Sequence, residues 1–270
     1  MKKKTKIGII ILSIIVIISI IIIKIAYEIN VGYQNALNCT FQDDGTILER
    51  LTILSEEDSR ISTIIENYDS YPEEILNMLC ANIETLDFVL NYPEKKNKIY
   101  ADNIGEVKKG EFPLLLQWDE RWGYAKYGNS SIAASGCACA SLAMVIAGLT
   151  GENKITPYII AKYAEENDYY TEVGTSWSLL TEGSKNLGVV GTEIILSKSN
   201  IYENLMKGIP IICSMRPGDF TTIGHFIVLI GIENGKIKVN DPNSVKRSNM
   251  LWDYENLEYQ IKNLWIFEKI

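Results

Sequence analysis

The stretch Ser135-Gly136-Cys137-Ala138-Cys139-Ala140-Ser141 runs into the apolar segment LAMVIAGL, so two thiols stand one residue apart where a loop becomes a helix. The chain has a single histidine, His225, at the head of the strand-like run HFIVLIGI. Asp241 closes the next strand-like run, KIKVND, 16 residues further on. These types suit nucleophilic catalysis. A thiol attacks a carbonyl as its thiolate, and a helix N-terminus beside an imidazolium favours that form. An imidazole within hydrogen-bond reach takes the proton and later returns it to the leaving group. An acid then fixes the tautomer and orientation of the ring. Gln117, 20 residues before Cys137, offers a side-chain amide that could hold a tetrahedral oxyanion together with a backbone N–H at the start of the cysteine helix. Taken singly, each has a plainer reading: a structural histidine at a strand end, or a turn-forming aspartate before Pro242. Their company and order favour chemistry.

The elements that would position these residues follow from periodicity. From Phe112 onward the texture is α+β, with helices first and an antiparallel sheet after them. The cysteine-led helix extends to about Leu149, and TPYIIAKYAEEN and SWSLLTEGSKNLG follow as helices, the second capped by Thr175 or Ser176. NIYENLMKG is a short helix ended by Gly208. IPIICSM, HFIVLIGI and KIKVND read as strands, the last two joined by the turn ENG, and NLWIFEK as a candidate further strand. Antiparallel pairing across ENG returns Asp241 to the neighbourhood of His225. Cys139 points roughly 200° around the helix from Cys137, so the two thiols cannot both face the histidine. Cys137, next to the helix terminus, is the favoured nucleophile and Cys139 its rival. Cys213, in an apolar run, reads as core filler. Trp118, Trp122 and Trp177 fit either the core or a substrate groove.

The remainder divides into two segments before a catalytic region at 111–270. Ile7 to Ile23 carries no charge and spans about 25 Å as a helix, and continuing through Tyr27 it is long enough for a hydrocarbon core. Four lysines precede it, against Lys24 and then Glu28 after it. The positive-inside bias thus makes residues 1–27 a cytoplasmic tip and transmembrane signal anchor, with the bulk of the chain outside and the membrane as a partner. Residues 28–110 hold sixteen acids against seven bases and read as an acidic helical stalk, lid or subdomain. Pro72 opens one of its helices, Ala81-Asn82 forms a joint, Pro93 stops the next helix, and a lysine-rich linker follows. The net charge of −8 and pI of about 4.9 argue against a nucleic-acid partner. Of five cysteines, Cys39 and Cys80 could form a bridge. No second Cys/His cluster accompanies Cys137 and Cys139, so neither metal nor cofactor is expected.

LLLQWDERWGYAKYGNSSIAASGCACASLAMVIAGLTG, followed by GIPIICSMRPGDFTTIGHFIVLIGI and VNDPNS, resembles the bacteriocin-processing type of papain-like cysteine peptidase, in its exported C39-like branch. The likeness covers residues 113 to about 257. It implies a papain-like α+β domain, with Cys137 as nucleophile, His225 as base, Asp241 as orienting acid, Gln117 in the oxyanion hole, and a peptide or protein substrate. The chain departs from the family at Ala138-Cys139, where Gly-Pro or a similar pair usually follows the nucleophile. Cell-wall amidase or endopeptidase activity, acyl transfer by the same thioester chemistry, and a non-catalytic binding module on the same fold are the alternatives.

Overall fold

The computed structural model describes residues 45–171 and 174–270. The expected anchor and Cys39 lie outside the described residues, among which no helix is long and apolar enough to cross a membrane. The first described helix is set by a capping box. Glu49 N–H donates to the Thr46 hydroxyl at 3.3 Å while Thr46 N–H donates to the Glu49 carboxylate at 2.6 Å. That helix is the first of four: α1 (Ile47–Glu57), α2 (Ile61–Glu66), α3 (Glu73–Ala81) and α4 (Leu86–Lys95). They bury Leu51, Ile64, Leu76, Leu79 and Phe88 against one another. Pro93 was expected to stop the last of them, but it lies inside α4, which continues to Lys95. Proline lacks the one N–H that would reach the Val89 carbonyl, and Lys96 N–H beyond it still closes on the Tyr92 carbonyl at 2.9 Å. This core is completed from outside the four helices, by Tyr124 and Ala133. Phe88 stacks on Tyr124 with ring centroids 4.1 Å apart, and the Tyr124 hydroxyl donates to the Phe88 carbonyl at 3.0 Å.

The chain then runs through β1 (Lys126–Tyr127), β2 (Ser130–Ser131), α5 (Ile132–Ser135), α6 (Cys137–Thr150) and α7 (Pro157–Glu166). Next come β3 (Tyr170–Thr171), β4 (Gly174–Thr175), α8 (Ser178–Thr181), β5 (Val189–Glu193) and α9 (Lys198–Met206). The C-terminal elements are β6 (Ile211–Met215), β7 (His225–Glu233), β8 (Lys236–Asn240), α10 (Val245–Ser248), β9 (Leu251–Trp252), α11 (Tyr254–Leu257) and β10 (Ile261–Lys269). The main sheet has the order β5-β10-β6-β7-β8-β9, with antiparallel pairing throughout. Helices preceding an antiparallel sheet give the expected α+β class. β5 and β9 carry too little apolar alternation to be read as strands beforehand. Every residue of β6 is buried, because α6 covers one face of the sheet through Ile212, Phe226, Val228 and Trp265 while α9 covers the other through Ile211, Cys213, Ile227 and Leu229.

The β7–β8 hairpin turns at Asn234 and Gly235, both left-handed with φ of 53° and 77°, as a tight two-residue turn requires. From the turn, Glu233 pairs with Lys236 and Gly231 with Lys238; the ladder then skips Ile230 and resumes at Leu229 with Val239 and Val228 with Asn240. This bulge sets the site. Without it, Asp241 would fall opposite Val228, on the other face of the strand from His225. With the extra residue, the ladder closes on Val228 and Asn240, and Asp241 just beyond it meets the His225 ring.

Candidate active site

Cys137 is the first residue of α6, half-buried at its N-terminus. α5 leads into it through Gly136, whose φ of −89° is open to any residue. Space is what demands glycine there: a Cβ would lie 2.6 Å from both the Ile132 methyl and the Ile132 carbonyl oxygen. The helix beyond is apolar on every side, with Ala138 through Gly148 buried. Cys139 is fully buried in that core, and burial pushes its thiol up to about 12. The structure thus separates the two cysteines: Cys137 opens toward His225 while Cys139 packs. Cys213 is likewise fully buried, and burial raises its thiol too.

His225 begins β7, opposite Met215 on β6. Ahead of it, the Thr221 hydroxyl accepts from the N–H groups of Ile223 and Gly224 at 3.2 and 3.0 Å, which fixes the turn delivering the ring. Nε2 of His225 lies 2.7 Å from Oδ1 of Asp241. With Nε2 engaged there, Nδ1 is the ring nitrogen left for the Cys137 thiol, the other group that acts on the ring. Burial alone would depress the His225 pKa. The Asp241 carboxylate, followed by the neighbouring Cys137 thiol, more than offsets this and raises it to about 9. Asp241 has no exposed surface. Burial would raise its carboxyl, but the His225 ring and the Arg247 guanidinium hold it below the usual carboxylate range.

Asp241 is itself held on several sides. Arg247 Nε donates to its Oδ2 at 2.5 Å, Asn243 N–H donates to its Oδ1 at 2.8 Å, and its own N–H donates to the Ser248 hydroxyl at 2.8 Å. Neither Arg247 nor these turn residues stand out in the sequence, although Ser244 three residues ahead of Arg247 is an N-cap pattern. The Ser244 hydroxyl does accept from Arg247 N–H, at 3.1 Å.

Gln117 lies between the segment entering the cysteine helix and the segment leaving the acid. Its Nε2 donates to the Ala133 carbonyl at 2.6 Å and its backbone N–H to the Pro242 carbonyl at 2.7 Å. One amide hydrogen is therefore used in fixing the side chain and the second remains. Trp118 belongs to the same junction, since its indole N–H donates to the Asn243 carbonyl at 3.1 Å. Trp122 is fully buried core. Trp177 is partly exposed, edge-on to Trp265 at 5.3 Å. Among the described residues, no group of three or more His, Cys, Asp or Glu side chains could hold a metal ion.

The Peptidase_C39 like family matches residues 109–267. The chain is similar in structure to the peptidase domain of Streptococcus ComA, a bi-functional ABC transporter involved in a quorum sensing pathway. The two share 19% identity with a TM-score of 0.44, covering 59% of this chain and 100% of that domain. A structure described as that of a C39-like peptidase from Bacillus anthracis is similar at 18% identity with a TM-score of 0.39, covering 61% of this chain and 98% of that one. No curated protein matches.

Proposed function

The chain belongs to the Peptidase_C39 like family, and from that premise we propose that it is an active cysteine peptidase that hydrolyses peptide amide bonds through a thioester intermediate. The observation that carries this reading is the fully buried Asp241 at 2.7 Å from Nε2 of the sole histidine, on whose ring the Cys137 thiol also acts. A buried carboxylate held ionised against an imidazole keeps that imidazole protonated at neutral pH, and an imidazolium sustains a neighbouring thiolate.

In the proposed reaction, Cys137 Sγ attacks the substrate carbonyl carbon and the electron pair of the C=O bond moves to oxygen. The free amide hydrogen of Gln117 and a backbone N–H at the start of α6 receive that oxyanion. His225 gives its proton to the leaving amine as the C–N bond breaks, which leaves a thioester on Cys137. Water, deprotonated by His225, then attacks the thioester carbonyl and releases the acid and the thiolate. Asp241 keeps the ring in one tautomer and orientation throughout. Every step uses groups of this chain, its substrate and water. Residues 7–27 serve in this reading as a membrane anchor that leaves the peptidase outside, where it meets peptide substrates.

The test is alkylation of the full-length chain by iodoacetamide between pH 4 and 9, with the modified cysteine located by peptide mass. Cys137 is expected to label in a rapid phase, ahead of the fully buried Cys139 and Cys213. The rapid phase disappears in His225→Ala, and cleavage of a peptide library disappears in Cys137→Ala. Labelling only above about pH 8, as for an ordinary thiol, and unchanged by His225→Ala would overturn the reading.

A further inference from the structure

The acid's turn is gripped by the N-terminal helices. Between α3 and α4 the chain makes a tight turn at Ile83–Thr85, opened by Asn82, whose Oδ1 accepts from Glu84 N–H at 3.1 Å. Both side chains reach across to the segment that follows Asp241. Asn82 Nδ2 donates to the Asn243 carbonyl at 2.5 Å. The Glu84 carboxylate takes three bonds from the start of α10: from the Ser244 hydroxyl at 2.7 Å, from Val245 N–H at 2.7 Å and from Lys246 N–H at 3.2 Å. The two N–H groups are donors that a helix start leaves without intrahelical partners. One residue further on is Arg247, whose guanidinium seats Asp241 Oδ2.

We propose that Glu84 is a positioning residue of the active site: by fixing the start of α10 it places Arg247, Arg247 places Asp241, and Asp241 orients His225. The inference deepens the peptidase reading and rests on it for its catalytic meaning. The alternative, that Glu84 merely glues the helices to the rest of the fold, is met by two observations. Arg247 Nη2 is buried without a hydrogen-bond partner among the described residues. Its guanidinium therefore depends on its backbone seat and on Asp241, with only the distant Phe220 ring, 5.9 Å away, beneath it. Moreover, the three Glu84 bonds end on the same turn from which Asn243, Ser244 and Ser248 reach Asp241: Asn243 N–H its carboxylate, and Ser244 N–H and the Ser248 hydroxyl its carbonyl. Freed from its cap, that turn keeps no second charged anchor among the described residues, the Trp252 indole N–H on the Arg247 carbonyl at 3.1 Å being neutral, and a shift of one ångström at Arg247 is enough to misplace the acid.

The groups that set the His225 titration are Asp241 at the end of β8 and Cys137 on α6, with Arg247 on α10 acting through Asp241. Because the chain has one histidine, selective labelling of histidine in the full-length chain, in mild detergent, gives a single imidazole NMR titration to follow. In Glu84→Ala, that titration is expected to fall by about one unit as Asp241 loosens, with kcat down about tenfold and KM within about twofold. Glu84→Gln keeps the shape of the side chain and one acceptor oxygen, is expected to fall between the alanine variant and wild type, and carries the test alone should the alanine variant fail to fold. An imidazole that titrates as wild type in Glu84→Gln, and in Glu84→Ala if it folds, while the melting temperature drops, means that Glu84 is only scaffold and overturns the proposal. The two readings fail separately. A shifted titration in a protein that cleaves no peptide removes the peptidase and keeps the positioning role, whereas an unshifted titration in an active enzyme does the reverse.

Discussion

The two sides of the candidate site are built by different forces. Around Cys137, position comes from packing: α6 is buried on all sides from Ala138 to Gly148, and Gly136 fits against Ile132 with no room for a methyl group. Around Asp241, position comes from hydrogen bonds, with Arg247, Asn243 and Ser248 on the acid itself and Asn82, Glu84, Gln117 and Trp118 on its turn. The contrast teaches what each side should tolerate. A packed helix start resists changes of charge and pH and fails when volume is added. A polar web tolerates modest changes of volume and fails when one donor, acceptor or charge is removed.

The sharpest way to break the comparison is on the polar side. Asp241→Asn keeps the shape and removes the charge, and is expected to lower peptide hydrolysis by about a hundredfold or more, with the His225 titration dropping from about 9 toward the ordinary 6.5. The same change should appear in stability. His225 has a folded pKa above its unfolded one, so its contribution is complete below pH 6.5 and is lost as the pH rises to about 9. Asp241, held low, contributes above the ordinary carboxylate range and loses its contribution as the pH falls through its depressed folded value. Wild type is therefore expected to exceed Asp241→Asn by the most between about pH 4 and 6.5, by on the order of 1–3 kcal/mol, as thermal melts across pH would read it. A constant difference from pH 5 to 9 would contradict the raised histidine.

On the packed side, Gly136→Ala changes no charge and forces a methyl group against Ile132. It is expected to cost about 1–3 kcal/mol in denaturant titration and to slow Cys137 alkylation at every pH without moving the His225 titration. A variant as stable and reactive as wild type would show that α5 and α6 have slack which packing should deny them. The smallest effect is reserved for the rival thiol. Cys139→Ala should lower stability by about 1 kcal/mol and leave hydrolysis within about twofold, because the fully buried sulfur does not reach the surface. A large loss of activity there would transfer the nucleophile to Cys139.

How much of this was legible in the sequence depended on the range of the interaction. Cys137 after glycine and before an apolar helix, and His225 as the sole histidine at a strand head, are local and rare patterns. Asp241 was legible through the hairpin, yet for an incomplete reason: the ENG turn alone would carry it to the wrong face, and the bulge at Ile230 restores it. Gly231 beside the bulge is the one local hint of that irregularity. Pro93 was misread because a proline disturbs only the bond to the carbonyl four residues before it, and the residues after it can still close on theirs, as Lys96 does on Tyr92. Glu84 was invisible. It is one of 34 acidic residues, and its partners lie 160 residues and more away, so no local pattern sets it apart.

That separation also has a meaning in time. Chains are synthesised from the N-terminus, so the helices carrying Asn82 and Glu84 emerge early, with their core still lacking Tyr124 and Ala133. Cys137 follows at mid-chain, and the turn that seats the acid comes only with residues 241–248, the far partner in contacts of 160 to 162 residues' separation. Such contacts form late, since a long loop must close before they gain anything. A nascent or truncated chain ending before Arg247 would thus carry the proposed nucleophile without its seated acid. On the proposed reading, hydrolysis therefore waits on residues 241–248, which are made some 160 residues after the glutamate that holds them.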